Sequence, residues 1–374
     1  MVALFIFAAL VPYCLVVWVC AVLFLRAGRR GLCGAAPAPA SSACPRLSVV
    51  VCTAEADVRV CAAAVRSVAA SLREGDSVIV VADHVSAESL CLLRRVAGEV
   101  GDAVRVVEND GPRGKKSAQR RGVAEVEDDA VVVSVDADCI VEERFAEVVR
   151  QAASAFDGKG FMLLLPVEMC GGGSLFGRLV ELEFGCLQVV TGGTSMMGRP
   201  TMANGAGMAF PKSLYVGHDS CTAYASGDDM FLLAHAIKSD AAVRYLASAE
   251  AVVRTAAPGG VGDYLRQRTR WLAKAGGYRS AGVIVLALVV FVAVVAWPVA
   301  FVGAACGWLP WSVAAGVFAV KWLADASACA AWLVFRRGWS GLRGLWVSVP
   351  LEVLYPLMTV VVAVRALVAD RRKW

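Results

Sequence analysis

No two of the 13 cysteines stand at C-x-x-C spacing, which removes both a zinc-ribbon and a dithiol redox reading. They lie scattered from Cys14 to Cys329 and read as small buried apolar residues, in keeping with a reducing compartment. Internal repeats and long low-complexity tracts are missing too, which excludes a stacked-repeat architecture. No positive residue precedes the first apolar run, Val2 to Leu25, and Arg26, Arg29 and Arg30 follow it. A cleavable secretory signal has the opposite arrangement, so the run reads as an anchor with its following residues on the cytoplasmic side. The net charge of +5 comes mostly from such flanks and indicates no nucleic-acid partner.

What the chain has in excess is apolar sequence: 58% of its 374 residues are hydrophobic, and the mean hydropathy is +0.62, too high for a wholly soluble chain. The excess is concentrated at the two ends, in runs long enough to cross a hydrocarbon core of about 30 Å. The expected division is an N-terminal transmembrane anchor over 1–26 and a Gly/Ala/Pro/Ser linker over 27–45. A soluble domain over 46–257, an amphipathic interfacial helix over 258–280 and a C-terminal membrane region over 281–374 follow. The last region offers about three spans, near 281–306, 311–335 and 345–368. Pro350, Glu352 and Pro356 predict a kinked or re-entrant final segment. Counting crossings from a cytoplasmic middle domain puts Arg371, Arg372 and Lys373 outside, against the positive-inside rule.

In the middle domain, β-branched runs alternate with amphipathic stretches: Leu47 to Cys52, Ser77 to Ala82, Ala103 to Val107 and Ala130 to Val135. This predicts an α/β fold with a mostly parallel, doubly wound sheet. Ser174 to Val190 has a helical pattern carrying Glu181 and Glu183. The glycines of 191–211 predict a loop ending in a short strand.

Three constellations can carry chemistry. The run from Val131 enters Asp136-Ala137-Asp138 at the carboxyl end of a predicted strand, where open α/β sheets bind ligands. Carboxylates there suit a divalent cation that neutralises a diphosphate, although an Asp pair in a solvated turn gives the same tripeptide. Gly227-Asp228-Asp229 precedes an apolar helical run. One acid is placed to take a proton from an acceptor hydroxyl, or the pair simply caps the helix. Gln267-Arg268-Thr269-Arg270-Trp271 lies in an amphipathic stretch before the second span. There Arg266, Arg268, Arg270 and Lys274 can meet lipid phosphates while Leu265 and Trp271 enter the interface.

The ordered set of Asp83 after a strand, Asp136-Ala137-Asp138, Gly227-Asp228-Asp229 and Gln267 to Trp271, flanked by membrane spans, resembles the membrane-bound family 2 glycosyltransferases. That family includes the cellulose, chitin and hyaluronan synthases and, less closely, the ceramide glucosyltransferases. The resemblance covers roughly 46–280 and implies a GT-A fold (Rossmann-like, with a mixed, mostly parallel sheet) and inversion at the anomeric carbon. It implies in-line displacement on a UDP-type donor and a Mg²⁺ or Mn²⁺ cofactor held by Asp138 with Asp136. Carried over by motif, Asp83 contacts the nucleoside, Asp229 beside Asp228 is the general base, and Arg270 supplies charge to the leaving group. Gln267 and Trp271 flank the diphosphate and the acceptor. Lys115 or Lys116 matches the family's lysine-bearing loop, or is an ordinary basic turn. Thr53 and Glu55, on the nucleotide side, stand where relatives carry Asn-Glu. Asp83 follows Ala82 where relatives carry a second Asp, and Asn204-Gly205-Ala206-Gly207 departs from Asn-Gly-Ala-Asn on the acceptor side.

The implied activity is transfer of a sugar from a nucleotide donor to a lipid or membrane-associated glycan on the cytoplasmic face of an inner or plasma membrane. A processive polysaccharide synthase is the nearest alternative, and a catalytically inactive membrane scaffold subunit is the alternative of another class.

Overall fold

The computed structural model describes residues 2–30, 44–156, 160–218, 227–273 and 281–368. The expected linker and the positions Ser226, Lys274 and Arg371 to Lys373 therefore lie outside the described residues, apart from the linker's two ends. In chain order the elements are α1 (Val2–Arg30), β1 (Leu47–Thr53), α2 (Val58–Ser71), β2 (Ser77–Ala82), α3 (Ala87–Val100), β3 (Val104–Glu108), α4 (Lys115–Ala124), β4 (Val131–Asp136) and β5 (Ile140–Val141). They continue with α5 (Phe145–Ala153), β6 (Phe161–Leu164), β7 (Val167–Cys170), α6 (Leu175–Met196), β8 (Met208–Pro211), α7 (Lys212–Tyr215), α8 (Asp228–Lys238), β9 (Ala242–Tyr245) and β10 (Val253–Ala256). The last are α9 (Val261–Ala273), α10 (Ala281–Ala305), α11 (Trp311–Arg337) and α12 (Ser348–Val368).

Two compact units share these elements. One comprises 27–168 and 202–256 and contains a seven-stranded sheet in the order β3-β2-β1-β4-β8-β6-β9. The pairs β1–β2, β2–β3, β1–β4 and β6–β9 are parallel, and only β8 runs against its neighbours β4 and β6. This is the GT-A fold, with its mixed, mostly parallel sheet. β1, β2 and β4 are nearly continuous runs of buried Val and Ile because helices cover both faces of a parallel sheet. α2 buries Val58, Cys61, Val65 and Val68, the i, i+3, i+4 stripe of a helix lying on such a sheet. The strand order reverses between β1 and β4, which opens a crevice at their carboxyl ends.

The second unit comprises 1–26, 169–201 and 257–370. Residues 169–201 and α9 thus belong to the same unit as the apolar helices. Among the described residues four helical segments are long and apolar enough to cross a membrane: Ile6–Gly28, Ile284–Ala305, Trp311–Arg337 and Trp339–Val368. Their outward faces expose Leu288, Val299, Leu357 and Val364, a pattern that fits a lipid surround. Pro350, Glu352 and Pro356, expected to interrupt the last segment, all lie inside one continuous helix. A 3-10 stretch, Trp339–Val347, leads into α12, which runs unbroken through Pro356.

The glycine-rich loop expected from residue 191 begins later than predicted, because Thr191 to Met196 complete α6. Gly185 and Gly193 belong there for packing. A Cβ at Gly185 would enter the indole of Trp332, and one at Gly193 would strike the backbone and side chain of Cys20. Glycine removes the side chain so that α11 and α1 can approach, as small residues do between membrane helices. Gly193→Ala is expected to cost about 1–3 kcal/mol through overpacking, read as a lower unfolding temperature in detergent.

Ion pairs complete this unit. Glu181 and Glu183 of α6 bind Arg337 and Arg268, and Lys321 of α11 lies 2.6 Å from Asp325 and 2.8 Å from Glu352 of α12. Tyr13 of α1 donates to Asp325. Trp322 Nε1 donates to Ser348 Oγ at 3.1 Å.

Candidate active site

The crevice is lined by residues delivered at strand ends. Cys52 and Asp136 are register partners on β1 and β4, Asp83 immediately follows β2, and Asp138 stands two residues beyond the end of β4. Two helices then begin at the same crevice. Gly114 (φ +132°) and Gly227 (φ +96°) take positive-φ conformations that side chains disfavour, and each turns the chain directly into a helix. α4 consequently starts with Lys115 and α8 with Asp228 and Asp229.

A lysine in the first turn opposes the helix dipole, typically by about 0.3–1 kcal/mol, so Lys115 needs an anionic partner. Asp136 is that partner, with Lys115 Nζ 2.5 Å from its Oδ1 and both side chains about one-third exposed. Burial pulls the proton affinity of Lys115 down, but Asp136, then Asp228 and Asp229, outweigh it and hold the ammonium well above its usual range. A Cβ at Gly205 would lie 3.1 Å from Lys115 Nζ and 3.6 Å from Asp228 Oδ2, so a bare backbone at 205 lets these groups converge. The D-x-D and G-D-D segments, 92 positions apart as counted from Asp136 to Asp228, are thereby joined through one lysine.

Asp229 is fixed by backbone donors: Gly205 N–H reaches Oδ2 at 3.1 Å and Met230 N–H reaches Oδ1 at 2.8 Å. Asp228 is 5% exposed, and its Oδ2 is buried with no hydrogen-bond partner among the described residues. Gly205 is itself anchored, its carbonyl accepting from Ser134 Oγ at 2.9 Å.

Asp138 is exposed, and its Oδ2 accepts from Thr255 Oγ1 at 2.9 Å. Asp57, in the short turn after β1, has its proton affinity raised by partial burial and then by Asp138 and Asp136. Three carboxylates thus repel one another with Lys115 holding one of them, a surplus of negative charge that a hard divalent cation relieves. Among the described residues no group of three or more His, Cys, Asp or Glu side chains is arranged to hold a metal. Two carboxylates plus phosphate oxygens of a bound nucleotide make up the ordinary shell of Mg²⁺, so Asp136 and Asp138 fit that cation as a pair completed by substrate.

The remaining sequence-predicted residues serve the crevice less directly. Both Asp83 oxygens hold the loop before α4: Oδ1 accepts from Asn109 Nδ2 at 2.7 Å and Oδ2 from Gly114 N at 2.8 Å. Glu55 accepts from Ser86 N (2.7 Å), Ser89 Oγ (2.7 Å) and Ser86 Oγ (3.0 Å) at the start of α3, and these bonds hold its carboxyl below the usual range. Thr53 is buried, with its carbonyl accepting from Asp83 N at 2.9 Å. Lys116 lies over the Phe231 ring at 4.9 Å, on α8.

Gln267, Arg270 and Trp271 belong to the other unit. Arg268, expected at lipid phosphates, is buried instead. It pairs with Glu183, donates to Gln267 Oε1 at 2.8 Å and lies 4.3 Å from the Trp271 ring and 4.7 Å from that of Tyr264. Arg270 is exposed and Trp271 half-buried. Sequence reasoning missed Cys52, Asp57 and Thr255. Burial pushes the Cys52 thiol up, so it stands as a neutral wall among charges. Its place beside Asp136 follows from the β1–β4 pairing, which no local pattern announces.

A family model described as "Glycosyltransferase like family 2" matches residues 45–273. Among solved structures, a mannosyltransferase from Pyrobaculum calidifontis, determined with GDP-Man and Mn²⁺, aligns over 98% of each chain with a TM-score of 0.56 at 17% identity. A mycobacterial protein aligns over 62% of this chain and 75% of its own, with a TM-score of 0.40 at 19% identity. S. aureus TarS aligns over 66% of this chain and 42% of its own, with a TM-score of 0.38 at 14% identity. No curated protein sequence matches. With the family model spanning more than half of the chain and the sheet carrying the GT-A order of strands, this protein belongs to the family 2 glycosyltransferases.

Proposed function

We propose that the protein transfers a sugar from a nucleoside-diphosphate sugar to a lipid or membrane-associated glycan, by single in-line displacement with inversion, on the cytoplasmic face of the membrane. The observation that carries this reading is the convergence of Asp136, Lys115 and the Asp228–Asp229 pair at the strand ends. A diphosphate placed at the start of α4 meets the positive end of the helix dipole and the Lys115 ammonium. Asp138 and Asp136 are the residues that would hold Mg²⁺ or Mn²⁺, which would supply Lewis-acid stabilisation to a departing diphosphate.

Asp229 is the proposed general base. Its carboxylate is oriented by two backbone N–H groups, which fix it beside Asp228 where an acceptor hydroxyl would be deprotonated. Asp83 acts by holding Asn109 and Gly114, so it sets the loop that the nucleoside and diphosphate meet. Gln267, Arg270 and Trp271 enter the proposal through their motif alone.

The test is Mn²⁺-dependent transfer or hydrolysis by the detergent-purified protein across a panel of UDP- and GDP-sugars. UDP donors come from the motif resemblance, and GDP-mannose is included because the Pyrobaculum enzyme binds it. Release of one nucleotide selectively supports the reading. No release and no nucleotide binding by folded protein, with membrane lipid extract supplied as acceptor, favours the scaffold alternative. Asp138→Ala is expected to weaken Mn²⁺-dependent nucleotide binding while leaving metal-free binding unchanged, as isothermal titration would measure.

A further inference from the structure

We propose that Lys115 is a removable counter-ion: without donor it occupies one of the two carboxylates that the metal needs, and the donor's diphosphate draws it away, so metal and nucleotide bind as a coupled pair. This rests on the nucleotide-sugar reading of the crevice. The ammonium stands 2.5 Å from Asp136 Oδ1, on one of the two carboxylates assigned to the cation. It also lies within electrostatic reach of Asp228 and Asp229. One positive charge therefore serves three negative ones, and a dication arriving at Asp136 must compete with it directly.

The geometry also supplies the exit. Lys115 is the first residue of α4, and its flexible stem is only half-buried. A diphosphate seated at that helix start brings phosphate oxygens within the lysine's reach. Moving the ammonium from Asp136 to phosphate releases a carboxylate oxygen as the anionic ligand that most needs a metal arrives. Gly205 keeps the path open, since a Cβ there would approach Lys115 Nζ to 3.1 Å. Asp83 Oδ2 accepts from the N–H of Gly114, the residue before Lys115, so the root of the side chain stays fixed while its tip changes partner.

The experiment is Mn²⁺ binding to the full-length protein in detergent, followed by the electron paramagnetic resonance signal of free Mn²⁺, first alone and then with UDP or GDP. The parent is expected to bind Mn²⁺ weakly alone and roughly tenfold or more tightly with the matching nucleotide. In Lys115→Met, Mn²⁺ alone should bind roughly tenfold tighter than in the parent, with the nucleotide adding about threefold or less. Lys115→Arg should keep the coupling. An unchanged or weaker Mn²⁺ affinity in folded Lys115→Met overturns the proposal.

A second measurement needs no variant. Reductive methylation of Lys115, read by peptide mass spectrometry in the parent, should rise with Mn²⁺ alone and fall again when nucleotide is added. A flat response likewise overturns the counter-ion role. If the parent transfers sugar yet fails these tests, only the counter-ion role is lost. If it binds no nucleotide at all, the reading of the crevice goes with it.

Discussion

Asp229→Asn is expected to lower the transfer rate by about 10²–10⁴-fold, the range a positioned general base contributes, while donor affinity changes little. The residue accepts from Gly205 N–H and Met230 N–H, one on each oxygen. An amide keeps one acceptor and turns its NH₂ toward the other donor, so Asn both loses the base and loosens the 204–206 segment. A comparison of turnover with donor binding separates these effects. A pure loss of base leaves the donor dissociation constant within a few-fold of the parent, whereas a displaced loop weakens binding and turnover together. Turnover at the parent rate would falsify the assignment of Asp229. Asp228→Asn is the informative partner variant, because Asp228 Oδ2 is buried with no described hydrogen-bond partner. An amide there retains the shape and removes one of the negative charges that Lys115 answers.

The second large effect is expected far from the crevice. Lys321 is 0% exposed and joins Asp325 to Glu352, itself 2% exposed. Lys321→Met strands two carboxylates in an apolar bundle, and breaking a buried pair in this way costs about 3–5 kcal/mol. Thermal unfolding in detergent should show the loss clearly. The triple variant Lys321→Met, Asp325→Asn, Glu352→Gln removes the charges together and should recover most of the stability. If the single variant melts with the parent, the cluster adds nothing to the assembly of α11 and α12.

The sheet could be read from sequence because its signal is local. Val49 to Val51, Val78 to Val81 and Val131 to Val133 are uninterrupted apolar runs, and in a parallel sheet such runs are strands buried on both faces. Asp136 and Asp138 were identifiable for the same reason, since the strand that delivers them ends where its apolar run ends. Asp228 and Asp229 were also legible, their helix opening with Gly and two acids. The errors came from partners distant in sequence. Gly192 and Gly193 suggested a loop until Cys20 of α1 supplied a surface that only glycine can meet. Arg268 suggested a lipid contact because Glu183, 85 positions away, is invisible to a local window. Asp57 and Thr255 reach Asp138 only after β1, β4 and β10 have found their places.

The membrane unit is assembled from three stretches of chain separated by the sheet's own segments, and this sets an order for biogenesis. At a synthesis rate of about 5–20 residues per second, α1 waits on the order of tens of seconds in the bilayer before α12 emerges. During that interval Gly193 of α6 already has Cys20 to meet, whereas Glu183 still awaits Arg268, so α6 has only part of its final surroundings. α11 enters differently. Lys321 and Asp325 lie one helical turn apart and 2.6 Å from each other, so this span carries its own counter-charge into lipid. Glu352 then arrives on the next span and is met by an ammonium already in place. The charges that lock the finished bundle thereby also let its most polar helix be inserted before its neighbour exists.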